Sequence, residues 1–128
     1  MRQVVLRCLC VTLLAAPAAG QVSAQSRTHV VIVVGLGGSA EFRESFHAEA
    51  AQIYTALTEQ HGLSTDDVVY LGEDPEIAPM ITLESTRANI LQVLAELSQE
   101  AGAQDKVVMI LIGHGTEGRN GAATRGSP

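Results

Sequence analysis

Three apolar runs alternate with two amphipathic stretches along this chain. Val30 to Val34 (VVIVV) stops at Gly35, Val68 to Leu71 (VVYL) stops at Gly72-Glu73-Asp74-Pro75, and Val107 to Ile112 (VVMILI) stops at Gly113. The first and third are continuous and rich in β-branched residues, the pattern of strands covered by helices on both faces. Between the first two runs, Phe42, Phe46, Ala50, Ile53 and Leu57 recur at spacings of four, four, three and four. That is one face of a helix, with Ser39 as its N-cap, Glu41 and Glu44 near its positive end and Gly62 as its stop. Between the last two, Ile90, Val93, Leu94 and Leu97 make a second helical face, with Ser85 as its cap and Gly102 closing it.

The order β-α-β-α-β predicts a three-layer αβα domain with a parallel sheet joined by right-handed crossovers. A strand order of 2-1-3 is expected, with the chain ending its regular structure after three strands. The third run is as apolar as the first, a composition suited to a central strand that expects a further neighbour. If it lies outermost, its bare edge makes residues 25–128 poorly soluble or partly unfolded on their own. Residues 116–128 (TEGRNGAATRGSP) have no periodicity and are rich in Gly, Ala and Ser, so they read as a disordered tail.

Residues 1–24 change the picture. Arg2 and Arg7 precede a short apolar stretch, and Val22-Ser23-Ala24 forms a small-residue site ahead of Gln25. This is the layout of a secretory signal peptide cleaved after Ala24, and the run falls short of the roughly 20 apolar residues needed to span a bilayer. An exported, periplasmic or extracellular product is expected. Both cysteines, Cys8 and Cys10, lie inside the leader, so the mature chain has no thiol. Loss of Arg2 and Arg7 leaves six basic against fourteen acidic residues, a net charge of −8. That balance argues against nucleic acid or an anionic membrane as partner.

Gly113-His114-Gly115 is the foremost chemical candidate. Open α/β sheets place ligands beyond the carboxyl ends of their strands, where His114 is delivered between two glycines. A neutral imidazole there can act as general base, and the unobstructed Gly115 N–H can face a developing oxyanion. The second candidate is the first glycine loop. Gly35, Gly37 and Ala40 fit the G-x-G-x-x-A dinucleotide fingerprint after a strand and before a helix. However, Glu73 or Asp74, the acids placed to meet a ribose, come about 38 residues after Gly35 rather than the usual 20 or so. A turn bringing the strand end to the cleft is the simpler account, and no cofactor is expected. Ser39 is a hydroxyl near the same rim but reads as the helix cap. His29, His47 and His61 lack ligand spacing, so no metal site is predicted. Asp66 and Asp67 read as a solvated turn, and Asp74 and Glu76 as a surface loop.

The segment Asp105 to Gly115 (DKVVMILIGHG) resembles the apolar strand and His-Gly motif of caspase- and legumain-like cysteine peptidases. The upstream order of strands and helices is similar from Thr28 to Thr116. The resemblance implies that 25–115 is the N-terminal part of such a domain, with His114 as general base and Gly115 as oxyanion-hole glycine. It also implies a peptide or protein substrate. In that family the next strand ends in the catalytic cysteine, and no cysteine follows His114 here. The expected product is an exported peptidase homologue, inactive as this chain, its reading frame or latter half lost after His114. An exported non-catalytic binding or pseudoenzyme module and a dinucleotide-binding Rossmann-type half domain are the alternatives.

Overall fold

A computed structural model describes residues 25–115. The leader and tail assignments, 1–24 and 116–128, lie outside the described residues. β1 (Thr28–Val34) leads to α1 (Ala40–Thr55), which continues into one π-helical turn at Ala56–Gln60. A 3₁₀ turn at Thr65–Asp67 opens β2 (Val68–Gly72); β3 (Leu83–Glu84), α2 (Arg87–Glu100) and β4 (Lys106–Ile112) complete the order. All pairings are parallel and the sheet runs β3-β2-β1-β4. The three apolar runs therefore occupy the 2-1-3 order expected of them.

The sheet is not limited to three strands. β3, only two residues long, pairs Leu83 with Leu71 and Glu84 with Gly72. Two backbone bonds frame it, Thr82 N–H to Tyr70 O at 2.8 Å and Ser85 N–H to Gly72 O at 2.7 Å. So short a strand has no apolar run to announce it, because what defines it is its pairing with β2. The second helix is capped by Thr86, not Ser85: the Thr86 hydroxyl accepts the Asn89 N–H at 3.2 Å, while Ser85 N–H is spent on the β2 ladder.

The continuous hydrophobicity of β1 is explained by burial on both faces. Val30, Ile32 and Val34 pack with Ala50 of α1, with Phe46 and Ile53 beside them. Val31 and Val33 pack with Leu71, Val93 and Leu97 on the α2 side. Ser39 caps α1 as expected, accepting the Phe42 N–H at 3.4 Å, and Gly62 at φ +68° lets the chain leave the π turn in the left-handed region.

β4 is the outermost strand among the described residues, paired along its whole length with β1 and with nothing beyond it. Its apolar composition is that of an interior strand, yet Val107, Val108, Met109 and Leu111 are exposed, Leu111 by 71%. Register places Val107, Met109 and Leu111 beside the β1 residues on the α2 side, beyond the reach of that helix.

The amino ends of the strands are held by charge. His29 is the second residue of β1 and is 2% exposed. Its Nδ1 lies 3.2 Å from Asp67, its Nε2 3.8 Å from Asp105, and Nε2 has no hydrogen-bond partner. Asp67 also pairs with Arg27, so it is a structural anchor rather than a solvated turn residue. Asp105 accepts the backbone N–H of Arg27 at 2.7 Å and of Gly102 at 2.9 Å, tying the start of β1 to the turn before β4. No helix among the described residues is long and apolar enough to cross a membrane.

Candidate functional site at the carboxyl rim

The sheet topology sets the site. β1 and β4 are neighbours in register, with Val34 opposite Ile112, so their carboxyl ends deliver Gly35 and Gly113 side by side. Gly35 N–H donates to Ile112 O at 2.8 Å, prolonging the ladder past the strands. Neither residue is a glycine by steric necessity, since a Cβ on either would meet its nearest neighbour at 3.6 or 3.7 Å. The glycines flanking His114 likewise have no left-handed backbone, and the Cβ position of Gly115 faces open space.

The constraint lies in the first loop instead. A Cβ on Gly37 would stand 2.5 Å from Arg43 N and 2.8 Å from Arg43 Cα, within the backbone of α1. Gly38 turns the chain at φ +75°. Glu73, just past β2, accepts the Gly37 N–H at 3.0 Å and pairs with the Arg43 guanidinium at 2.9 Å. Its carboxyl is therefore held below the usual range, first by the Arg43 hydrogen bond and then by the Gly37 N–H. Glu73 is engaged with the loop itself, so the acid expected to meet a ribose is already occupied. The loop N–H a pyrophosphate would use carries a carboxylate.

His114 is seated by contacts from two elements. Its Nε2 lies 3.0 Å from the Gly37 carbonyl oxygen. A carbonyl only accepts, so Nε2 carries a proton, and in the neutral form of the ring the lone pair is on Nδ1. Phe42 and Phe46 pack edge-on against the ring, with centroids 4.4 and 4.9 Å away. These phenylalanines fall on the helical face predicted from spacing, but periodicity assigned them only to the core. Their second role, packing against the histidine, follows from α1 lying on β1 and β2 with its first turns at the carboxyl ends of the strands.

An open cleft of about 310 Å³ lies at the carboxyl ends of β1 and β4, bounded by Val33, Gly35, Leu111 and the Ile112–Gly115 run. Larger hollows, about 590 Å³ along the last turns of α1 and about 450 Å³ at the amino rim, contain neither His114 nor the glycine loop. Of the three, only the smallest is lined by His114 and its flanking glycines, so the site is assigned there. The other histidines are apart: His29 is at the opposite rim, and His47 shares a 2.9 Å hydrogen bond with Tyr70, whose hydroxyl burial pushes up to about 12. Ser39 is occupied as the α1 cap. Asp74 and Glu76 form a turn of their own, the Asp74 carboxylate accepting the Glu76 N–H at 2.9 Å.

The two clamping carboxylates give the domain an acid limb. The Glu73 and Asp105 carboxyls are both held below their ordinary values of 4.5 and 3.8, Asp105 chiefly by the Arg27 N–H. A depressed folded value stabilises the native state above the unfolded value. That stability is lost as pH falls through the lower, folded value. The melting temperature is thus expected to fall as pH drops below about 4.5, and Glu73→Gln with Asp105→Asn should flatten that limb in a circular-dichroism melt series. An acid limb of unchanged slope in the double variant would refute the assignment.

Together, fold and rim define a small parallel α/β domain that presents a histidine, bonded through Nε2 to the glycine loop, at the end of the outermost described strand. Comparison with known proteins returns no matching family model, no similar curated protein and no similar solved structure.

Proposed function

We propose that this chain is the histidine-bearing, N-terminal part of an exported caspase- or legumain-like cysteine peptidase homologue, without hydrolytic activity by itself. The observation that carries the reading is the state of His114. The Gly37 carbonyl accepts from Nε2, leaving the lone pair of the neutral ring on Nδ1, at the carboxyl rim beside β4, which has no further strand beside it among the described residues. A nucleophile carried at the end of such a strand would arrive next to that lone pair. Nδ1 would then take the thiol proton, the sulfur would attack the peptide carbonyl, and the imidazolium would return the proton to the departing amine. Gly115 is the oxyanion donor in this reading, and a peptide or protein is the substrate.

The test is to translate the DNA beyond the His114 codon in all three frames. An apolar strand ending in cysteine is expected. The chain extended by that strand should then be labelled by a peptidyl acyloxymethyl ketone, with labelling lost in His114→Ala. No such strand in any frame ends the proposal.

A second reading, an exported binding module that uses the cleft without chemistry, is favoured by one fact: no cysteine follows Cys10 in this chain. Retention of a peptide ligand by the chain as it stands, unaffected by His114→Ala, would select it. The dinucleotide alternative predicts NAD or FAD binding, and the occupied Glu73 speaks against it. Gly37→Val is a poor control for that alternative, because the substitution disrupts the loop whatever the ligand.

A further inference from the structure

We propose that Glu73 is the positioning residue of the His114 site, clamping Gly37 so that its carbonyl fixes the tautomer of the imidazole. This rests on His114 being the functional base, but the geometry stands independently.

The loop that holds His114 is poorly suited to holding anything by itself. Gly35, Gly37 and Gly38 make it three-quarters glycine over four residues, and Gly38 has no atom within 4 Å of its Cβ position. Glycine has the widest backbone freedom of any residue, so an unrestrained Gly37 carbonyl would sample many directions. Glu73 removes that freedom. One oxygen accepts the Gly37 N–H at 3.0 Å while the other takes the Arg43 guanidinium at 2.9 Å. The end of β2, the glycine loop and the first turn of α1 are thereby joined through one carboxylate. Its side chain is 17% exposed, and charge-assisted bonds in a part-buried setting are the stronger kind.

Gly37 then passes the restraint on. Its N–H faces Glu73 and its C=O receives the Nε2 proton of His114, the two groups being separated by a single Cα with no side chain. With the N–H pinned on one side and Arg43 occupying the space a Cβ would take, the backbone of Gly37, and with it the carbonyl, is restrained. The clamp acts on the histidine through this residue alone. Arg43 orients Glu73 and does not touch the imidazole by any described hydrogen bond.

Nitrogen-15 NMR of the full chain labelled at histidine, below the onset of association, tests this, with the His114 signal assigned by its loss in His114→Ala. The intact chain is expected to show one tautomer, protonated on Nε2. Glu73→Ala should lose that single-tautomer signature, the ring exchanging between Nε2–H and Nδ1–H forms. Glu73→Gln, whose amide oxygen still accepts the Gly37 N–H, should restore it. An unchanged signature in Glu73→Ala, or equal disruption by Gln and Ala, overturns the proposal.

If Glu73→Ala loses its folded amide dispersion, Glu73→Asp takes its place. The carboxylate then withdraws by one methylene, the same loss is expected, and an intact signature again overturns the clamp. The signature is read whether or not a nucleophile exists. Failure of the ketone labelling with a Glu73-dependent tautomer removes the peptidase reading alone, and successful labelling with a Glu73-independent tautomer removes the clamp alone.

Discussion

Gly37→Ala is expected to lower the stability of the domain by roughly 3 kcal/mol, the upper part of the range for forcing atoms into occupied space. For a domain of about 100 residues that corresponds to a fall in melting temperature of roughly 12–24 °C. The added methyl would stand 2.5 Å from a backbone nitrogen and 2.8 Å from a Cα, both in the first turn of α1. Backbone in a capped helix cannot swing aside as a long side chain would, so loop or helix must move. Either movement separates Gly37 from Glu73 and from His114, coupling lost stability to a released imidazole. Gly38→Ala is the matched control. It has open space around its Cβ but a backbone at φ +75°, so it carries only a conformational penalty of about 1–2 kcal/mol. Calorimetric melts of both variants decide the matter. Equal losses would mean that the close approach of Arg43 is not what requires glycine at position 37.

The second large effect concerns the outer edge of β4. The full chain is expected to associate as its concentration rises, and Met109→Lys to increase the soluble monomer several-fold. β4 is a seven-residue strand with no charge between Lys106 and Gly113, no proline and, among the described residues, no strand beyond it. Its outer backbone groups, unpaired among the described residues, are flanked by exposed Val107, Val108, Met109 and Leu111. A flat apolar edge of this kind templates pairing with another strand, and an inserted lysine is how natural sheets prevent it. Because Met109 is 41% exposed, the substitution removes little packing, and fold stability should stay within about 0.5 kcal/mol. Light scattering across a concentration series separates the outcomes. A monomeric chain with a sharp cooperative melt at high concentration would show that β4 tolerates its open edge, and would weaken the proposal that another strand belongs there.

The same edge shows how composition and position can disagree. From VVMILI alone the third run reads as an interior strand, because only strands buried on two faces need such continuous hydrophobicity. Among the described residues the structure places it outermost, its composition unmatched by its surroundings. β1, with the same kind of run, is buried from His29 to Val34. The two runs are alike as sequences, and what separates them is that β1 has a neighbour on each side.

Periodicity by itself determined the local elements: three apolar strands, two helices, the Ser39 cap, the Gly62 stop and the arrival of His114 at a carboxyl rim. These are legible because a strand's continuous burial and a helix's three-four spacing are imposed on neighbouring residues. Tertiary structure alone decided the rest. The bond from Gly37 to Glu73 spans 36 residues, that from His114 to Gly37 spans 77, and that from Arg27 to Asp105 spans 78. No spacing rule reaches across such intervals. Glu73 therefore reads as a ribose acid until it is found on the glycine loop, Asp67 as a solvated turn until His29 lies against it, and Phe42 and Phe46 as core until they pack edge-on against the histidine, Phe42 remaining exposed. Each is a polar or apolar residue of ordinary type whose role is set by which strand ends the sheet order brings together.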